Sequence, residues 1–190
     1  RRRRLTGDYR MNAAHKPGKP TKAELAAHDE AVATAGCKTA PPAIDPGFGG
    51  IIGQDQGLMA LQSALLRNRL PHALLFSGPS GIGKATIAGV LTQALNCMKS
   101  GGRDACGTCS SCHKVKRGLH PDVLWVAPDK GRIRLQQISP RKSDKKETAS
   151  PHTPIVNWVG YRPYEGNRRV VVIDDAHKMN SSAQNALLKT

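Results

Sequence analysis

Apolar positions recur along the chain in two periods, and only part of the chain shows either. Residues 54–69 place Leu58, Leu61 and Leu65 on one face at spacings of three and four, the pattern of an amphipathic helix. Residues 73–77 (ALLFS) form a short continuous apolar run of strand size. Residues 83–97 return to the helical period through Ile87, Val90, Leu91 and Leu95. Two more apolar runs, 122–126 (DVLWV) and 170–173 (VVVI), read as buried strands. Residues 180–189 read as a helix, with Ser181 or Ser182 near its start as the cap. Strand and helix alternating in this way predict an α/β fold with a parallel sheet flanked by helices.

Two stretches carry neither period. Residues 1–46 are rich in Ala, Pro, Lys and Arg, with Tyr9 as their sole aromatic residue. They read as a flexible basic extension holding at most a marginal helix over 22–33, and Met11 within them is a candidate true start. In 139–154, Pro140, Pro151 and Pro154 bracket a Lys/Ser/Asp/Glu run, the composition of a flexible surface insertion. The expected organisation is an extension over 1–46 followed by one domain over 47–190 that carries this insertion.

Composition narrows the class. The 38% of hydrophobic residues omits 19 glycines, and together they bring 190 residues into the globular range. No apolar run approaches the ~18 residues of a membrane span, and no apolar segment follows Arg1–Arg4 as a secretory signal would require. The expectation is a cytoplasmic chain without membrane contact. Lys and Arg number 29 against 14 Asp and Glu, a net +15 spread along the whole length. Such a charge nominates nucleic acid as a partner, while an aromatic content of 4% argues against recognition by base stacking.

Chemistry enters at residues 78–84. Gly78, Pro79, Ser80, Gly81, Ile82, Gly83 and Lys84 fit G-x-x-x-x-G-K between an expected strand and an expected helix. In that setting the glycines let backbone N–H groups close around phosphate oxygens. The helix N-terminus adds positive potential, and Lys84 neutralises the terminal phosphates. The expected ligand is ATP or ADP, with Ala85 and Thr86 completing the lining. Ala85 stands where a Ser or Thr hydroxyl would hold Mg²⁺, and Thr86 is rotated by about 100° around the helix. The partner acids are Asp174 and Asp175 at the C-terminal end of the 170–173 run, where ligands of open α/β sheets bind. Asp174 is expected to hold Mg²⁺ through water. Asp175 stands at the position of a water-orienting Glu but is one methylene shorter. Alternatively, both acids simply end the strand and cap the next turn.

Four of the five cysteines, Cys97, Cys106, Cys109 and Cys112, follow the spacing C-x₈-C-x₂-C-x₂-C. Thiolates at these intervals can converge on one tetrahedral Zn²⁺, which four protein ligands make structural. Disulfides compete as a reading, but nothing else suggests export. Cys37 reads as a free thiol, and His113 and His120 as surface or packing residues.

A zinc knuckle placed directly after a phosphate-loop helix resembles the AAA+ clamp-loader subunits of bacterial DNA polymerase III, over residues 51–190. Residues 51–54 (IIGQ) look like the family's adenine-side box, 70–76 (LPHALLF) like its lead into the phosphate loop, and 185–190 (NALLKT) like the segment after its acidic strand. The resemblance implies a RecA-like P-loop sheet with an inserted zinc module over 97–112. It implies work in the replicative polymerase assembly, a DNA-directed DNA polymerase and so a nucleotidyltransferase complex. The implied partners are the gamma/tau and delta subunits, with the sliding clamp and primed DNA reached through the complex. Two subunit types share these features: the ATP-hydrolysing gamma/tau motor and the largely rigid delta prime scaffold. Gly118, Leu119, His120, Pro121 and Asp122, then residues 127–131 (APDKG) and Ile133, are similar to the delta prime pattern, and Ala85 sides with it. That implies a scaffold with weak or absent hydrolysis. A gamma/tau motor, or a zinc-dependent nucleic-acid-binding module with a vestigial nucleotide fold, are the alternatives. Pro140 and the 139–154 stretch interrupt what is a continuous helix in the family. Thr190 precedes the family's sensor, arginine finger, lid and collar, so the resemblance implies a fragment.

Overall fold

The computed structural model describes residues 47–139 and 154–188. The expected extension, most of the insertion, Cys37 and the last two residues lie outside the described residues. In chain order the elements are a 3₁₀ turn (Phe48–Gly50), α1 (Asp55–Leu66), α2 (Lys84–Asn96), α3 (Ser110–Lys116), β1 (Val123–Val126), α4 (Leu135–Ile138), α5 (Ile155–Val159), β2 (Val170–Ile173), a second 3₁₀ turn (Ala176–Lys178) and α6 (Ser181–Leu187).

β1 and β2 pair in parallel, with Val123 opposite Val170 and Val126 opposite Ile173. Period-two alternation then sorts the side chains to two faces. Val170 packs on a core of Phe48, Leu58, Leu65, Val90, Leu91, Ala94 and Leu95, built where α1 lies against α2. Leu124, Val126, Val171 and Ile173 turn the other way, onto Ile133, Ile138, Ile155 and Ala183 from the α4, α5 and α6 side. The small sheet is therefore a partition between two helical layers, which explains why its strands are apolar throughout.

One expected strand is absent. Residues 73–77 take no regular secondary structure, and Leu74 and Leu75 are exposed, Leu75 to 83%. Their apolar pattern suits a strand, but a strand also needs a neighbour for its N–H and C=O groups. Among the described residues β1 and β2 pair with each other alone. Phe76 still packs on the first core. A second correction concerns the last helix: its cap is Asn180, whose Oδ1 accepts the Ala183 N–H at 2.8 Å, and neither Ser181 nor Ser182.

A buried polar network joins these layers. Asp122, fully buried at the start of β1, accepts backbone N–H groups from Tyr164 (2.6 Å), Glu165 (2.8 Å) and Gly166 (2.7 Å). Arg169 Nε stands 3.6 Å from the same carboxylate, while its guanidinium donates to the Trp158 carbonyl and lies 4.7 Å from the Trp158 ring centroid. His120 Nδ1 accepts the Asp122 N–H, so the ring's other nitrogen carries the proton and donates to Ser111 Oγ at 3.0 Å. Ser111 passes its own hydroxyl hydrogen to the Asn96 carbonyl at the end of α2. Asn96 Oδ1 in turn accepts the Arg168 N–H. A Cβ on Gly166 would collide with Asn96 Oδ1 and stand 3.0 Å from His120 Cε1, so the close approach admits only glycine.

Burial pushes the His120 imidazole below its ordinary 6.5, against the opposing pull of Glu165 and Asp122, so Glu165 at 3.7 Å faces a neutral ring. Burial alone would raise Asp122, but its three backbone donors and His120 hold it below its ordinary 3.8. The unfolded chain therefore binds more protons than the folded one once the pH falls below about 6.5. Stability should fall on acidification, first through His120 and then, below about 3.8, through Asp122. Urea titrations should show that decline, with a shallower upper part in His120→Gln. Asp122→Asn should cost about 3–5 kcal/mol at neutral pH, since it leaves backbone donors unmatched. Gly166→Ala should also destabilise, whereas a surface change such as Lys116→Ala should stay within roughly 0.5 kcal/mol.

Candidate functional site

Two candidate sites sit at opposite ends of α2, separated by roughly 20 Å at 1.5 Å rise per residue. At the N-terminal end, Gly78, Gly81 and Gly83 take φ of 145°, 81° and 96°, and Gly83 is the left-handed cap from which α2 starts. Nothing lies within 4 Å of a Cβ built on Gly81 or Gly83, so the dihedral angles, not crowding, call for glycine there. Lys84 turns back into this loop, donating to the Gly78 carbonyl at 3.0 Å and the Pro79 carbonyl at 2.7 Å. The loop thus encloses an ammonium group held by neutral carbonyls. Ala85 and Thr86 follow on the first turn of α2.

Asp174 and Asp175 end β2. Asp174 Oδ1 accepts the Asp175 N–H at 3.0 Å, and Asp175 adopts a left-handed φ of 49°. Asp175 Oδ2 pairs with Lys178 Nζ at 2.7 Å. Its carboxyl lies below its ordinary range, mainly through that hydrogen bond, with Lys84 among the positive groups that add to the shift. The loop lysine thus contributes to the field at Asp175, though the two are far apart in sequence.

At the other end of α2, Cys97, Cys106, Cys109 and Cys112 converge. Their sulfurs all lie within 4.8 Å of one another, and those of Cys106 and Cys112 are 4.0 Å apart. All four are free thiols, so no disulfide joins them. Tetrahedral Zn²⁺ with bonds of ~2.3 Å requires sulfurs about 3.8 Å apart, so contraction by an ångström or less completes the shell. The local backbone is arranged for thiolates: the Cys109 N–H points at Cys106 Sγ and the Cys112 N–H at Cys109 Sγ, each at 3.4 Å. Hydrogen bonds from Thr108, backbone and hydroxyl, hold the Cys106 thiol down to about 5, against burial. Burial would raise Cys97, but donors from Ser100, Cys106 and Lys99 bring it below its ordinary value. Cys112, almost fully buried, is pushed up, first by burial and then by its sulfur neighbours. A soft, closed, four-sulfur donor set with glycine turns at Gly101, Gly102 and Gly107 fits Zn²⁺ in a structural role.

His113 is exposed and His120 is buried in the polar network. That network is what residue patterns missed. Asp122 lies more than 40 positions from Glu165 and Gly166 along the chain, and nothing local ties it to them. An aspartate opening an otherwise apolar strand was the one available signal.

The family described as "DNA polymerase III, delta subunit" matches residues 53–190. The tau/gamma subunit of Haemophilus influenzae DNA polymerase III is 32% identical over 75% of this chain and 19% of its own length. Delta' subunits are similar too: that of Bacillus subtilis is 29% identical over 72% of this chain and 37% of its own length. That of Pseudomonas aeruginosa is 33% identical over 63% of this chain and 33% of its own length. The chain thus spans a fifth to somewhat over a third of these relatives. It belongs to the DNA polymerase III clamp-loader subunit family, in the N-terminal AAA+ region, and both subunit types match it at comparable identity. No helix of the described residues is long and apolar enough to cross a membrane.

Metal analysis of the purified chain should find about one Zn²⁺ per molecule, released by strong chelators and absent from Cys109→Ser. Because thiolates bind the metal, affinity should weaken as pH falls and protons compete for sulfur. A stable, metal-free wild-type core would refute the assignment.

Proposed function

We propose that the chain is the AAA+ portion of a delta prime subunit, a scaffold that helps the clamp loader place the sliding clamp on primed DNA. The carrying observation is Ala85: the residue after the loop lysine lacks the hydroxyl that a hydrolysing motor uses to hold Mg²⁺. Asp175 adds to this, being short and already paired with Lys178. The similarity to delta prime over 118–133 points the same way.

In this reading residues 47–190 form one P-loop domain of RecA-like type, with the zinc module over 97–112 and an insertion over 139–154. Residues 78–86 bind the phosphates of ATP or ADP, and Asp174 and Asp175 are the degenerate counterparts of catalytic acids. Zn²⁺ rigidifies the module, and the domain positions neighbouring gamma/tau and delta subunits in the cytoplasm. A gamma/tau motor is the second reading, favoured by the tau/gamma relatives at 32% identity.

Steady-state ATP turnover separates the two. With sliding clamp and primed DNA present, the chain should show no turnover above background, and it should co-elute with gamma/tau and delta subunits. Turnover stimulated by clamp and DNA, and abolished by Lys84→Ala, would establish the motor instead.

A further inference from the structure

The phosphate loop and the acids ending β2 supply most of a nucleotide site but leave out the hydroxyl ligand for a divalent cation. Ala85 offers a methyl group where the first protein ligand would stand. Thr86 lies about 100° further around α2, on a different face. Both carboxylates already have partners in the chain: Asp174 Oδ1 takes the Asp175 N–H, and Asp175 Oδ2 takes Lys178 Nζ at 2.7 Å. Of the ligands that a phosphate loop ordinarily offers Mg²⁺, the hydroxyl is thus missing and the carboxylates are already engaged within the chain.

Positive charge, by contrast, is in place. Lys84 Nζ sits inside the loop on two neutral carbonyls, which phosphate oxygens would displace as stronger acceptors. The 13-residue helix α2 begins at the loop and directs its unpaired N–H groups and dipole toward it. An uncomplexed nucleotide carries more negative charge than its Mg²⁺ complex and so gains more from these groups.

We propose that the 78–84 loop binds free ADP or ATP, with Lys84 and the α2 N-terminus supplying the countercharge and Mg²⁺ taking no part. This rests on the phosphate-site reading above and deepens it by naming the species bound.

Calorimetric titration of the full chain with ADP, and separately with ATP, in EDTA and in excess MgCl₂ tests it. The dissociation constant in EDTA should equal or be tighter than that in MgCl₂, and Lys84→Ala should lose binding in both. Ala85→Thr and Ala85→Ser, which restore the hydroxyl, should acquire a Mg²⁺-dependent tightening of about tenfold, or about 1.4 kcal/mol. A tightening of that size in the wild type would overturn the proposal. So would hydroxyl variants that bind as the wild type does without responding to Mg²⁺. No binding under either condition would overturn it together with the nucleotide reading, while co-elution with partner subunits would still report separately on the scaffold role.

Discussion

A single buried carboxylate organises this domain. Asp122 has no solvent of its own, and it gathers the N–H groups of three consecutive residues that precede β2. Removing a charge from water is costly, and the arrangement persists because three backbone N–H groups are donated to the carboxylate and Arg169 lies alongside. The geometric result matters more than the energy. By fixing Tyr164, Glu165 and Gly166 over the start of β1, Asp122 fixes the register in which β2 arrives four residues later. The sheet, the two cores it separates and the acids at its end all take their positions from that register.

The same network sets the relation between the cysteine cluster and the glycine loop. α2 carries the glycine loop at one end and Cys97 just past the other, and Asn96 and Ser111 tie the cysteine module to the sheet. With Zn²⁺ bound, the four-sulfur cluster beside α3 would be a rigid stop at the C-terminal end of α2. The glycine loop at the N-terminal end would thereby be mounted on a helix held at its far end. Rigidity of this kind suits a subunit that positions others. It also suits a loop whose lysine is already drawn inward, so that binding an anion would exchange partners instead of reshaping backbone.

What could be read from residues was whatever is local. Helical periods located α1 and α2 to within a few positions, and the run 170–173 coincided with β2, because both signals come from side chains a few residues apart. The cysteine spacing was legible for the same reason: knuckle geometry is built within 16 residues. Residues 73–77 show the limit of that logic. Their apolar run describes a preference for burial, whereas strand formation depends on a backbone partner, which no pattern within the run can report. The Asp122 network was illegible for a related reason, since its partners meet only through the parallel pairing. The Asn180 cap was misplaced by one or two residues between adjacent capping-type side chains, a choice that depends on where the chain turns.

The pairing of Val123 with Val170 brings together strands almost fifty residues apart, with the whole α4–α5 region between them. Closing so long a loop is slow, because its entropy is lost before the strand contacts repay it. The cysteine module needs no such search, since its ligands and α3 lie within one short stretch. It also ends where His120 and Asp122 begin. Metal capture would therefore arrange, early and locally, the acceptor that later collects the Tyr164–Gly166 backbone. The expected order of assembly is the cysteine knuckle first, then β1 with its carboxylate already aimed, then β2. Chain that has not yet captured its metal would linger with the apolar edges of β1 and β2 unpaired, the condition in which strands find each other between molecules.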